Sequence, residues 1–582
     1  GELAETRWSD ALAAAARAIK TGLDRSGPSG TAVIGGSRLT NESAYAWAKL
    51  AKGVIGTDSV DAQLGDGLDP RLVLGLPRAT IAETCAPGGT ILVFANDVKE
   101  ELGVLYLRLR HAAVWDGAKV IEVSATDTGI TSFAAASVRA RPGAGPAVID
   151  ALLAGGPAPD GIDADVFARA AGLLGDDAAG PLRVVLGRPS LAESADVATA
   201  AAHTILARRQ DATFLTTLRR ANVYGAIDMG LAPGLLPGRV GLDAGRAAVA
   251  SGWGIAANEL PGSVGRDAAG ILAAAADGTV DTLILLGADP VVDFADHDLA
   301  ERALQRTPNV ISVDLFATES NKYAHVVLPA SGFAASDGTT TNLEGRVTRV
   351  GQAIAPPGKS HADWVIAAEL AFALDNDLGF DSLEDIRAEI ARTAPSHAGL
   401  TEQLLDDDPD GTVFPLPTPA PEELDESTAD TADVAGDGDA PSAEATTDQP
   451  TDDRQAPSVE LPPAPGLQIP APDAYAFRLV VTRKLYDQGT IVQQSPHLAP
   501  LATPPAEIPA RLNPADIAQL GITDGASVRI SGARGQITLP VLADAGVPRG
   551  LVAFTRDAAF GAGLGLIEPA QTVTDVRVET VA

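Results

Sequence analysis

The tripeptide Gly358-Lys359-Ser360 has the composition of the end of a phosphate-binding loop, whose backbone N–H groups and lysine would cradle a nucleotide triphosphate. The spacing rejects that reading. The glycine required five residues before Gly358 is Ala353, and Pro356 and Pro357 remove two of the amide donors such a loop needs. The stretch reads instead as an exposed turn ahead of a helix. His325 and His361 have side chains that titrate near neutrality, but no carboxylate stands at an obvious spacing from either, so ordinary hydrogen bonding is expected of both. Cys85 is the one cysteine of the chain, flanked by apolar residues, and is expected to be a small core residue. One thiol excludes a disulfide framework and a cysteine-ligated iron–sulfur cluster within these residues. The seven histidines form no pair at metal-ligand spacing. Gly561, Gly563 and Gly565 do not make the G-x-G-x-x-G of a dinucleotide loop.

The elements that would position any site are legible from hydrophobic patterning. "TAVIGGS" (31–37), "TILVFAND" (90–97), "AKVIEVS" (118–124), "RVVLGRP" (183–189), "VDTLILLGADP" (280–290), "NVISVDLF" (309–316) and "AHVVLPA" (324–330) are near-continuous apolar runs. Helical patterns fall between them: 8–23, a helix capped by Asn41, one running to Leu109, and one over 191–208. Buried strands alternating with helices specify doubly wound α/β units with parallel sheets. Ligands of such sheets sit at the carboxyl ends of strands, here near Gly36, Asp97 and Asp289.

Composition then changes twice. The net charge of −33 is concentrated: residues 406–460 hold 17 acidic residues against one basic residue, Arg454. Residues 405–472, rich in Asp, Glu, Pro and Thr, are expected to be a disordered acidic linker. From 473 to 582 short strands with tight turns predict a small β-barrel, with one helix over Asn513–Ile522 ending at Gly521. The acidic balance disfavours nucleic acid as a partner, and no apolar run is long enough to span a bilayer.

Several segments, in order, resemble the molybdopterin oxidoreductase superfamily: His325-Val-Val-Leu-Pro329, Asp337-Gly-Thr-Thr-Thr-Asn342, Glu344-Gly-Arg346, Pro357-x-Lys359 and Asp363-Trp364, and in the last part "LNPADIAQLGITDGASVRISGARGQITLPV". Within it, "LTNESAYAWAKLAKGVIGTDSVDAQL" (39–64) and "RRANVYGAIDMGLAPGLLPGRVGLD" (219–243) are similar to the G subunit of bacterial, actinobacterial-type NADH–quinone oxidoreductase, respiratory complex I. The resemblance implies two interleaved α/β domains, a discontinuous one over 1–66 and 265–404 and a second over 67–264, followed by a dinucleotide-binding-type barrel of the double-psi kind. It implies iron–sulfur clusters in an N-terminal region preceding Gly1, loss of the molybdopterin, other complex I subunits of the peripheral arm as partners, and a peripheral location on the cytoplasmic face of the plasma membrane.

Catalytic relatives in the superfamily carry a Cys or selenocysteine metal ligand at a position that falls near Gly67. No thiol stands there; Asp66 and Asp69 are oxygen donors and are expected to be turn residues. Asn342, Glu344 and Arg346 would frame a pterin in active relatives and are expected here to satisfy backbone groups instead. No catalytic or metal-binding residue is assigned. Two other readings stay open: an active molybdenum or tungsten enzyme such as a formate dehydrogenase, with Asp66 as ligand, and an interaction protein without redox role.

Overall fold

The computed structural model describes residues 3–175, 180–415, 459–471, 473, 475–485, 489–500, 508–556 and 564–581. Most of the expected acidic linker, and Gly561 and Gly563, lie outside the described residues.

The first sheet has five parallel strands in the order Val326–Pro329, Asn309–Asp314, Thr282–Leu286, Thr31–Gly35, Val60–Asp61. Every residue of Thr31–Gly35 and Thr282–Leu286 is buried, as apolar strands covered on both faces require. The helix Trp8–Ser26 packs one face through Ala15 and Ile19, and Ala268–Ala276 and His297–Arg306 cover the other. The helix expected to be capped by Asn41 is capped by Thr40, whose hydroxyl accepts from the Ser43 amide. Asn41 opens the helix and faces inward: its amide donates to the Thr339 and Thr341 hydroxyls at 3.1 and 2.9 Å. Thr40 takes the extended conformation a cap needs, which frees the asparagine to join this helix to the hairpin Gly338–Thr341/Arg346–Val350.

The second sheet is also five-stranded and parallel, ordered Ala136–Arg139, Lys119–Ser124, Thr90–Phe94, Arg183–Leu186, Thr213–Thr216. The helix expected from Leu191 begins only at Asp196. Leu191 and Ala192 are diverted into the core of the C-terminal unit, and the Leu191 amide donates to the Val481 carbonyl at 3.0 Å.

That unit is a closed barrel of six strands: Ala476–Thr482, Leu551–Thr555, Ala510–Leu512, Gln536–Ala543, Ser527–Ser531 and Asp575–Thr580. Two of its pairings are parallel and the rest antiparallel. The helix Pro514–Leu520 starts at an Asn513 cap and ends at Gly521 with φ +67°.

The expected linker is corrected at both ends. After residue 404 the chain completes the helix Glu402–Asp407, with Leu405 buried, and adds the strand Thr412–Val413 to the hairpin. Phe414 is fully buried and stacks on His397 with ring centres 5.4 Å apart. On the far side Val459 is buried, and Leu461 and Leu467 pack on the core of the second sheet. The few apolar residues scattered at the margins of the acidic stretch serve as anchors, and each contributes burial that composition averages hide.

Candidate functional site

Strand order reverses once in each sheet, between Thr31–Gly35 and Thr282–Leu286 in the first and between Thr90–Phe94 and Arg183–Leu186 in the second. The crevices at the carboxyl ends of these pairs are where an α/β sheet binds a ligand.

In the first crevice Gly35 and Gly36 have φ +113° and +107°, and a Cβ on Gly35 would stand 2.2 Å from the Leu286 carbonyl oxygen. Only glycine fits that turn. Arg38 lies across the opposite strand end: its Nε is 2.0 Å from where a Cβ of Gly287 would be. The guanidinium donates to the Val313 carbonyl and pairs with Asp363 at 3.6 Å and Asp314 at 4.0 Å. Burial pushes the Asp363 carboxyl up to about 6, against the pull of Arg38. Asp289 is turned to the loop that follows the neighbouring strand Asn309–Asp314, accepting from the Glu319 and Ser320 amides and the Ser320 hydroxyl.

In the second crevice Asp97 caps the short helix Val98–Glu101 through the Lys99 amide and accepts from the Gly129 amide. Arg188, directly after the partner strand, donates to the carbonyls of Gly65, Leu191 and Glu193. It thereby ties the loop that follows the first sheet's edge strand to the second unit.

That loop, residues 61–69, holds the central feature. Asp61 accepts from the Gln63 and Ala268 amides, and burial pushes its carboxyl up to about 7. Gln63 bonds both the amide and the carbonyl of Leu68, closing the loop on itself. Asp66 sits at its tip between two arginines, 2.5 Å from Arg220 Nη1 and 2.8 Å from Arg483 Nη2. Burial alone would raise its pKa; Arg220 and Arg483, with Arg219, overcome it and hold the carboxyl well below the ordinary range. Arg220 has φ +99°, a strained conformation for a non-glycine residue, held by the surrounding contacts. Burial and the nearby Arg556 and Arg219 lower Arg483 to about 9, so it stays charged at neutral pH. Asp66 belongs to the first α/β unit, Arg220 follows the second sheet, and Arg483 follows a barrel strand; the three parts of the molecule meet at this carboxylate.

The donor set here does not suit a metal ion. Both Asp66 oxygens are engaged by guanidinium groups, and a cation would face their charge. A side chain at Gly67 would put its Cβ 1.5 Å from Gln63 Oε1, so a ligating residue there displaces the glutamine that closes the loop. Asp69, the other oxygen donor, caps the helix Pro70–Gly75 through the Arg71 amide. Among the described residues no three His, Cys, Asp or Glu side chains are grouped to hold a metal.

The structure brings Asn342, Glu344 and Arg346 together in the hairpin turn. Asn342 accepts from the Glu344 and Arg346 amides; Glu344 pairs with Arg346 Nε at 2.8 Å and accepts from the Ile81 amide at 2.7 Å; Arg346 donates to the Gly411 carbonyl. Their bonds therefore end on backbone groups and on one another. His325 Nδ1 accepts from the Val310 amide, and His361 packs against Trp8 with ring centres 4.4 Å apart and planes tilted by 36°. Burial pushes the Cys85 thiol up to about 11. Gly358-Lys359-Ser360 forms the exposed turn before the helix Asp363–Ala373, with the Ser360 hydroxyl donating to the Pro357 carbonyl. Arg38, Arg188, Arg220 and Arg483 were not among the sequence candidates. Their one sequence signal is charge beside an apolar strand, as at Arg188 and Arg483.

The molybdopterin oxidoreductase family model matches residues 1–156 and 198–373, and the molydopterin dinucleotide binding domain model matches 477–575. The NADPH-Fe(3+) oxidoreductase subunit alpha of Geobacter sulfurreducens is 27% identical over 436 residues, covering 68% of this chain and 51% of its own. The G subunit of the NADH-quinone oxidoreductase of Mycobacterium tuberculosis is 30% identical over 552 residues, covering 93% of this chain and 57% of its own. The F420-dependent formate dehydrogenase 1 subunit alpha of Methanococcus maripaludis is 25% identical over 622 residues, covering 98% and 87%. The chain thus spans about half the length of the first two relatives. Acetylene hydratase from Pelobacter acetylenicus shares the fold, with a TM-score of 0.68 at 15% identity over 99% of this chain and 90% of that one. Two interleaved parallel sheets, a closed six-stranded barrel and family matches to both parts place this chain in the molybdopterin oxidoreductase family.

Proposed function

We propose that the chain is part of the G subunit of a proton-translocating NADH–quinone oxidoreductase, in the peripheral arm on the cytoplasmic face of the membrane, and that these residues are a scaffold without redox chemistry of their own. The observation that carries the reading is Asp66, locked by Arg220 and Arg483 beside Gly67, near which the ligand position of catalytic relatives falls. The arginines across the two crevices, Arg38 and Arg188, support it: both strand ends are engaged by the chain's own side chains. The similarity to the mycobacterial G subunit over 93% of the chain points the same way. In this role iron–sulfur clusters are carried outside residues 1–582, since one cysteine cannot supply the thiolates. The folded units hold that region rigid, as electron transfer at fixed spacing requires, and offer docking surface to other subunits. Among the described residues no helix is long and apolar enough to cross a membrane.

A second reading is favoured by one observation, the match to a formate dehydrogenase subunit over 87% of that protein's length. It requires Asp66 to leave both arginines. Metal analysis of the native assembly separates the two. Iron without molybdenum or tungsten is expected; stoichiometric molybdenum or tungsten would overturn the scaffold reading, and absence of all three metals would favour an interaction protein.

A further inference from the structure

The helix Gly103–Val114 presents apolar side chains on two opposite faces. Leu105, Leu109 and Ala112 are buried against the second sheet. On the outward face Val104, Leu107 and Val114 are 75%, 60% and 48% exposed, and Trp115 at the C-cap is 73% exposed. At about 100° per residue these four and His111 fall in one arc opposite the buried side chains, with Arg108 on one flank and Arg110 on the other. The patch continues onto the barrel side through exposed Leu485, whose Cδ2 is 3.8 Å from the Cβ position of Gly103. Lys99, Lys119 and Lys484 are exposed nearby in sequence or space, and Lys484 pairs with Glu100. Asp116 stands 3.6 Å from His111.

An amphipathic surface helix turns polar residues to water. A contiguous exposed apolar stripe with a polar rim marks an interaction site. The charge of the rim selects the occupant. The chain as a whole carries −33, yet the two flanks of this stripe carry Arg108 and Arg110, while the acidic Asp116 and Glu100 near its ends are paired with His111 and Lys484. A second copy of this chain would set one basic rim against another, which repels at short range. A single helix stripe, straight and one side chain deep, fits another helix laid along it.

We propose that this face docks an acidic amphipathic helix of a neighbouring protein, its apolar residues against Val104, Leu107 and Trp115 and its carboxylates against Arg108 and Arg110. The inference does not depend on which oxidoreductase the chain serves.

The test uses the full chain and a labelled helical peptide of about 14 residues, enough to run the length of the helix, with leucines at i, i+3, i+4 and i+7 and glutamates on both flanks. Fluorescence anisotropy should show saturable binding that falls at least about tenfold in Leu107→Ser/Trp115→Ser and in Arg108→Glu/Arg110→Glu. The same peptide with lysine for glutamate should bind at least about tenfold more weakly. Binding indifferent to these substitutions, equal binding of the lysine peptide, no binding at all, flotation with phosphatidylglycerol vesicles in place of peptide binding, or self-association lost in the same variants would each overturn the proposal. Surface substitutions of this kind leave the buried face intact, and unchanged thermal unfolding verifies that the variants are folded.

Discussion

Arg483 reaches Asp66 across 417 residues of sequence, with Nη2 2.8 Å from Oδ2, and it does so from the end of a barrel strand to the tip of a loop on the first sheet. Arg220 holds the other oxygen from the second α/β unit. One buried carboxylate thus joins three parts of the fold.

Replacing Asp66 with Ala leaves two buried guanidinium groups facing each other, which should cost about 3–5 kcal/mol. Urea unfolding at pH 7 measures it. A loss under about 1 kcal/mol would show that the other contacts of the barrel, among them Leu191, Ala192 and the bonds of Ser190 and Leu191 to Val481, hold it without this ion pair. Because the folded-state pKa of Asp66 is depressed, its contribution is complete above the ordinary carboxylate value and drains away as pH falls through and below it. Acid unfolding of the wild type should therefore begin below about pH 4, with that step missing in the variant.

Asp61 and Glu193 behave in the opposite sense. Burial raises both to about 7, so the folded state keeps protons that the unfolded state has lost. Each should lower stability as pH rises from about 4 to about 7, with a slope of up to about 1.4 kcal/mol per pH unit. Asp61→Asn or Glu193→Gln should flatten that slope in denaturant titrations. An unchanged slope would mean the carboxylate is ionised in the folded protein.

Arg346→Ala removes the ion pair to buried Glu344 and the bond to the Gly411 carbonyl, at a cost of about 1–3 kcal/mol. Under the scaffold reading, the amount of assembled complex falls while turnover per assembled complex stays constant. Quantifying both in membranes distinguishes this from a selective loss of turnover, which would assign Arg346 a part in the chemistry.

Gly67→Cys supplies the thiol that catalytic relatives carry near this position, but its Cβ meets Gln63 Oε1. Displacing the glutamine breaks both bonds to Leu68, and the variant should lose about 1–3 kcal/mol. In Gln63→Ala/Gly67→Cys the two costs should be strongly non-additive, a coupling that a double-mutant cycle measures. Simple additivity would place the cysteine side chain elsewhere.

The sheets were legible in the sequence because apolar runs such as 282–286 are buried on both faces and need no knowledge of their neighbours. The strand Ala510–Leu512 was not: three residues with a central arginine carry no period, and only its pairing with Gln536–Ala543 and Leu551–Thr555 makes it a strand. The helix start at Asp196 was displaced from Leu191 by barrel contacts that no local pattern encodes. The candidate site was half legible. Asp66 was marked by its place beside Gly67, whereas its partners lie 154 and 417 residues away and are ordinary arginines until the fold assembles them. Polar residues in a local turn, such as Asn342, Glu344 and Arg346, were easier, since most of their partners lie within the same few residues.

The first sheet is completed late. Its central pairing joins Thr31–Gly35 to Thr282–Leu286, and all five strands of the second sheet are encoded between them. During synthesis the ribosome delivers the whole second unit before the partner strand of Thr31–Gly35 exists, an interval on the order of tens of seconds. Through that interval the nascent chain carries an apolar strand that Val60–Asp61 can cover on one edge only, the edge that will meet Thr282–Leu286 staying bare next to a unit that can already close. The interleaving that gathers three units around one carboxylate thus also sets a timetable: the amino-terminal segment must be shielded by the translation machinery or by chaperones until the carboxyl-terminal half of its own sheet emerges.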